Sequence, residues 1–279
     1  HNNPSGVAVR DSLSDAYYEA FMVDCVAAFG GAVVLNREVD KKTAEQIISH
    51  YTEVVAAPSF AKGVLDIFAK KKNLRVMEVP RISRLEEFAA KQYLDFKSLM
   101  DGGIIVQDSF ASKIMSTSDF INAETTYKGK TYSVHRNATD AELADLLFGW
   151  HVEAGVTSNS VIYVKNGATV GIGTGEQDRV GVARIARDKA YEKYKERIAF
   201  EEYGCPFRAI EELEKRKEIE YRVNMEHGGL KGAAMVSDAF FPFRDGVDVG
   251  LEEGVSAVAQ PGGSLRDYES IEACNEHND

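Results

Sequence analysis

The residues best equipped for chemistry in this 279-residue chain cluster in its second half. Ser237-Asp238-Ala239-Phe240-Phe241-Pro242-Phe243-Arg244-Asp245 sets three aromatic rings, a proline and an Asp-Arg-Asp set close together. Rigid aromatic walls with a few convergent carboxylates suit a planar heterocycle bearing amines. Gly171-Ile172-Gly173-Thr174-Gly175, ahead of a predicted helix, offers backbone N–H groups to which a ligand could come close. A dinucleotide fingerprint needs G-x-G-x-x-G after the first strand of a βαβ unit. Position 176 is Glu and the preceding strand belongs to an Asn166-Gly167 hairpin, which argues against an NAD oxidoreductase. His151-Val152-Glu153 matches the H-x-E of zinc deaminases, in which His holds the metal and Glu moves protons. The Cys-rich partner motif is absent: Cys205-Pro206 runs in reverse order with no second Cys nearby. The expectation is therefore no zinc, with His151 on a helix surface. His50, His135, His227 and His277 show no paired spacing and read as structural. Gln260-Pro261-Gly262-Gly263-Ser264 joins a strand to a helix, either as a tight turn with Ser264 as N-cap or as a backbone-lined pocket.

The elements that must position these residues follow from hydrophobic periodicity. Helices are predicted at 11–24, 41–51 and 61–71, alternating with strands at 32–35, 54–57 and 74–79. That alternation argues for an α/β layer with a largely parallel sheet. Residues 81–135 are less regular, with one strand at 102–107 and a polar Ser/Thr stretch that reads as a connection. A second block carries a helix at 140–156, a hairpin of strands 161–165 and 169–173, and a long helix from Asp178 to about Phe200. Residues 201–229 are highly charged and read as a solvated helical excursion. A strand at Val236, a helix at 247–253, a strand at 255–260 and a helix at 265–277 complete it. The predicted organisation is a first lobe at 1–108, a connecting segment at 109–136 and a second lobe at 137–279 with the charged insertion 201–229.

Composition narrows the partners. With 33 basic and 44 acidic side chains the net charge is −11, which argues against broad contact with nucleic acid or anionic lipid. No run approaches the roughly 18 apolar residues of a membrane span, and no signal peptide is visible, so a cytoplasmic location is expected. Three widely spaced cysteines, without a C-x-x-C, fit a reducing compartment.

His-Asn-Asn-Pro at 1–4, Ala28-Phe29-Gly30-Gly31, Ser158-Asn159-Ser160, Gly171 to Arg179, Ser237 to Asp245, and Gln260 to Asp267 occur in an order that resembles one family. It is the AICAR transformylase domain of the AICAR transformylase/IMP cyclohydrolase enzymes of purine biosynthesis. The resemblance implies an α/β fold of two cytidine-deaminase-like lobes, with mixed sheets flanked by helices and no zinc. It implies formyl transfer from 10-formyltetrahydrofolate to the 5-amine of AICAR, giving FAICAR and tetrahydrofolate. The amine is a poor nucleophile because its lone pair is delocalised, so a positioned base and a stabilised oxyanion address the two hard parts of the step. By resemblance His1 is the proton acceptor and Asn159 lies near the reacting amine. Glu53 holds the substrate, Arg179 lines the same cleft and Gly30 lets AICAR approach. Phe29, Val180, Phe240, Pro242 and Asp245 match the folate pocket. A structural potassium ion, a homodimer with shared sites and association with IMP cyclohydrolase are further implications. The family carries a lysine directly before the aligned histidine and an Arg-x-Phe-x-His tail, neither of which occurs here. The chain therefore reads as cut at both ends, with turnover by these residues alone expected to be severely reduced or absent. The competing reading is a degenerate, non-catalytic module that binds nucleotide or folate.

Overall fold

The computed structural model describes residues 3–84, 87 and 91–278. It is a mixed α/β chain of helices and small sheets. The first sheet holds β1 (Gly31–Val34), β2 (Thr52–Ala57) and β3 (Arg75–Glu78) in that order, all parallel. Three helices belong to it: α1 (Leu13–Val23), α2 (Lys41–Ser49) and α3 (Val64–Phe68). Ser12 and Asp40 cap α1 and α2 by accepting from the backbone N–H of Asp15 and Thr43. The third helix is shorter than periodicity predicts, because Gly63 takes a left-handed φ of 88° and the helix begins only after it. Val39, Ala44, Ile47, Val55 and Val64 are fully buried between these layers.

Two antiparallel ribbons follow, β4 (Leu94–Ser98) with β5 (Ile104–Asp108), and β6 (Glu124–Tyr127) with β7 (Lys130–Ser133). Every residue of β4 and β5 is exposed.

The second sheet has the order β11-β10-β8-β9, where β8 is Ser160–Lys165, β9 Ala168–Thr174, β10 Ala234–Ser237 and β11 Ala257–Ala259. It is mixed: β10 runs parallel to β11 and antiparallel to β8, which pairs antiparallel with β9 through the Asn166-Gly167 turn. One face carries α4 (Asp140–Glu153), which approaches closely because a side chain on Gly149 would meet Val236 at 2.7 Å. Against β9 lies α5 (Arg179–Tyr203), with α7 (Asp245–Leu251) and α8 (Asp267–Asn278) completing that layer. The helix α8 begins two residues later than predicted, and the Ser264 hydroxyl accepts from Arg266 N–H ahead of it.

The charged stretch departs from a fully solvated excursion. The helix α6 (Leu213–Met225) buries Ile219 and Val223, together with Phe207 and Ile210, against Ile198 and Ala199 of α5. Charged residues run round most of this helix, and a few apolar residues spaced through the stretch form a small core with α5. The N-terminal segment also crosses to the second sheet. Val9 N–H donates to Gly167 O, Thr169 N–H donates to Val7 O, and Ala8 bridges Ala168, extending the sheet at its β9 edge. No helix among the described residues is long and apolar enough to cross a membrane.

Candidate active site

The most tightly built polar centre lies where β8, α5 and the end of β10 converge. Asp178 caps α5 by accepting from Gly181 N–H, which places Arg179 in the first turn, pointing across the sheet end. The Arg179 guanidinium pairs with Asp238 and donates to Ser237 Oγ at 3.3 Å and Asn159 Oδ1 at 2.6 Å. The amide of Asn159 is used at both ends, since its Nδ2 donates to Glu176 O at 2.8 Å. That fixes the side chain in one orientation. Asp238 also accepts from the Ser158 hydroxyl and from Ser160 N–H at 2.9 Å. Burial raises the Asp238 carboxyl, but these donors, Ser158 first and Arg179 next, outweigh it and hold the group below its ordinary value. The centre therefore carries a fixed ion pair with an amide beside it.

Beneath it, Glu153 ends α4 and is only 6 % exposed, accepting from Ser160 Oγ at 2.6 Å. Its neighbour in the H-x-E triplet, His151, is exposed. The two side chains diverge, His151 towards solvent and Glu153 towards Ser160 of β8. Among the described residues no group of three or more His, Cys, Asp or Glu is placed to hold a metal.

The Phe-rich string divides its rings between two environments. Phe240 and Phe243 are exposed, and the Arg266 guanidinium lies 5.0 Å from the Phe243 ring centre. Phe241 is fully buried, its N–H donating to Gln260 Oε1 at 2.7 Å, so it forms core rather than pocket wall. Arg244 is taken up by Asp248 and Glu276. Pro242 and Asp245 are exposed, with Asp245 opening α7. Val180 is partly buried and packs on the core beneath α5.

The glycine segment has a packing role. A side chain on Gly171 would meet Ala186 O at 2.2 Å and one on Gly173 would meet Val182 O at 2.3 Å, so both let α5 lie directly on β9. Gly175, at φ 69°, has open space around it and makes the turn into the helix.

The remaining residues singled out from the sequence form a separate cluster at the first sheet. Gly30, at φ 72°, donates its N–H to Tyr51 O at 2.8 Å. The Tyr51 hydroxyl donates to Glu53 Oε1 at 3.2 Å, and the exposed Phe29 ring sits 4.9 Å from the Tyr51 ring. Any side chain on Gly30 would press on Tyr51 at 3.3 Å. Among the described residues no hydrogen bond, ion pair or ring contact joins this cluster to the Asn159–Arg179–Asp238 centre. His1 lies outside the described residues. Two positions later, Asn3 accepts from Thr157 N–H at 3.0 Å and donates to Thr174 Oγ1 at 3.1 Å, beside the Asn159 turn.

Sequence reasoning missed Tyr51, Asn3, Ser160 and the buried Glu153 as parts of these clusters, and gave Asp238 no separate role. Asp238 stands in the Phe-rich string, so its type was visible while its partners were not.

Residues 1–189 match the family described as the AICARFT/IMPCHase bienzyme. The bifunctional purine biosynthesis protein PurH of Magnetococcus marinus is 38 % identical over 278 residues, covering 99 % of this chain and 44 % of that protein. PurH of Polynucleobacter asymbioticus is 37 % identical over 279 residues, covering 99 % of this chain and 43 % of that protein. The chain thus spans less than half the length of these relatives. With the family match running over more than half of its residues, the chain belongs to the AICARFT/IMPCHase bienzyme family.

Proposed function

We propose that this chain carries the AICAR formyltransferase activity of purine biosynthesis, moving a formyl group from 10-formyltetrahydrofolate to the 5-amine of AICAR. The observation that carries the reading is the Asn159–Arg179–Asp238 centre, a pre-set amide and guanidinium at the mouth of the second sheet. In this reading Arg179 and Asn159 hold the carboxamide and amine of AICAR, and His1 accepts the proton that the amine loses as it attacks the formyl carbon. The tetrahedral oxyanion collapses with release of tetrahydrofolate N10, which takes up the proton that His1 received. Glu53 and Gly30 contribute to substrate from the first sheet, where the lack of a side chain on Gly30 leaves room above Tyr51. Phe29, Val180, Phe240, Pro242 and Asp245 form the folate pocket, Asp245 facing the amine-bearing edge of the pterin. Exposed rings at Phe29 and Phe240 support that assignment, because planar ligands gain from offset stacking on such faces.

The reading extends to a homodimer whose sites take residues from both copies, to association with IMP cyclohydrolase and to a cytoplasmic location. The separation of the Gly30–Glu53 cluster from the Asn159 centre within one chain supports shared sites. The two sheets with their flanking helices are taken as two cytidine-deaminase-like lobes, at 1–108 and 137–279, linked by 109–136. A monovalent cation, potassium by resemblance, is a structural ion in this proposal, and no step runs through it.

The test is a thermal-shift titration with AICAR, a folate analogue and NADH. At about 100 times the dissociation constant a ligand adds about 2.7 kcal/mol, a rise of several degrees for a chain of this size. The expected result is a rise with AICAR or folate and none with NADH, paired with FAICAR formation by a longer protein containing these residues. Binding without turnover in that longer protein would favour the degenerate binding module.

A further inference from the structure

The proposed reaction leaves one buried carboxyl without a task. Glu153 stands at the C-terminal end of α4, where the helix dipole disfavours a negative charge. Its Oε2 accepts from Ser160 Oγ, while Oε1 is buried and has no hydrogen-bond partner among the described residues. The charged groups that face it are Asp238, from the end of β10, and Arg179, from the first turn of α5. On its own helix the nearest titratable neighbour, His151, is exposed. Arg179 is committed to Asp238, Ser237 and Asn159, which leaves no cation among the described residues to pair with Glu153.

Burial is the main cause that pushes the Glu153 carboxyl up, to about 8. The Ser160 hydroxyl opposes it, the nearby Asp238 charge adds to it and Arg179 opposes it. Asp238 moves the other way, and Ser160 touches both groups: its N–H donates to Asp238 and its hydroxyl to Glu153. Two carboxyls driven apart in this fashion, one neutral and one ionised, divide their roles.

We propose that Glu153 is a positioning residue of the AICAR grip: by holding Ser160 it fixes the Asp238 carboxylate to which Arg179, and through it Asn159, is tied. Ionisation of Glu153 brings a second negative charge to the same guanidinium. Arg179 is then drawn from Asn159 and the grip on the ligand loosens. The activity side of this inference rests on the formyltransferase reading, whereas the coupling between Glu153 and Asn159 does not.

Two measurements test it separately. The first is the AICAR dissociation constant at pH 7 and pH 9 by calorimetry. The expected ratio is about tenfold weaker at pH 9 for the native chain and under twofold for Glu153→Gln, which cannot ionise. A Glu153→Gln protein that keeps the native ratio overturns the proposal. The second is a carbon-13 titration of glutamate-labelled native chain, without ligand, while the Asn159 side-chain amide is followed. A midpoint near 8 accompanied by movement of the Asn159 amide supports the coupling. A midpoint below 6, or a titration that leaves Asn159 unmoved, overturns it. Absence of AICAR binding at every pH defeats the formyltransferase reading alone, with the titration still deciding the role of Glu153.

Discussion

At the residue scale, Arg179 is the hinge of the centre because a guanidinium can serve several acceptors in one plane. Arg179→Lys cannot reproduce the bonds to Asp238, Ser237 and Asn159, and is expected to weaken AICAR binding at least tenfold in a calorimetric titration. Asp238→Asn strips the charge from a pair whose side chains are 13 % and 20 % exposed and leaves the guanidinium half-satisfied. Removing one partner of such a pair costs about 3 kcal/mol, measurable by urea denaturation. Glu153 makes a pH prediction of opposite sign to that of most acids. Its carboxyl is raised from 4.5 to about 8 in the folded chain, so its stabilising contribution is complete below pH 4.5. That contribution is lost as the pH rises to about 8, by up to roughly 4 kcal/mol, and Glu153→Gln should remove this slope from denaturation midpoints. Asn159 and Arg179 were singled out in the sequence by resemblance, and the structure brings them into hydrogen-bond contact. Asp238 and Glu153 were not, because burial gives them their character. Positions 151 and 153 lie roughly 200° apart around a helix, so one faces solvent and the other the sheet. A triplet read along the chain hides that divergence.

At the scale of elements, periodicity found most helices and strands and placed the hairpin correctly at Asn166-Gly167. It failed where tertiary contacts decide. The glycines of β9 read as a ligand loop, yet the close approach of α5 accounts for Gly171 and Gly173. Gly173→Ala would press a methyl onto Val182 O and force α5 from the sheet, an overpacking cost of about 2–3 kcal/mol that thermal unfolding should register. The charged insertion was legible as helical, but its apolar minority was too sparse in sequence to reveal the contact with α5. A second prediction concerns the fork between Arg136 and Glu142, with both bonds at 2.9 Å. Burial raises the Glu142 carboxyl, but Arg136 and the capping N–H of Thr139 lower it further, down to about 2. Its stabilising contribution is present above pH 4.5 and lost as the pH falls towards 2. Glu142→Gln should therefore cost stability at pH 7 and almost none at pH 2.

At the scale of the whole molecule, the β4–β5 ribbon stands out, with Leu94, Phe96 and Ile104 each more than 60 % exposed. An isolated two-stranded ribbon with apolar residues in water is marginal on its own. A second copy covering it accords with the proposed dimer. In a longer protein containing these residues, Phe96→Asp combined with Ile105→Glu is expected to shift light-scattering mass from two chains to one, and to abolish formyl transfer with it. A variant that remains dimeric and active would place the interface elsewhere. Periodicity predicts the second strand of this ribbon, at 102–107, but not β4, whose apolar–polar alternation covers only Leu94 to Lys97.

The clasp of Asn3 on Thr174 joins residues 171 positions apart in the chain. During synthesis at roughly 5–20 residues per second, Asn3 waits on the order of ten seconds or more before the strand that receives it has been made. The first sheet, whose strands end at Glu78, is complete well before then and can fold without the clasp. The turn at Asn159 cannot be finished in the same way: it acquires its Asn3 neighbour only after β9 emerges, and its Asp238 partner later still. The Asn159 centre thus matures only once β10 and Asp238 have been made, and a nascent polypeptide shorter than that lacks the carboxylate that anchors Arg179.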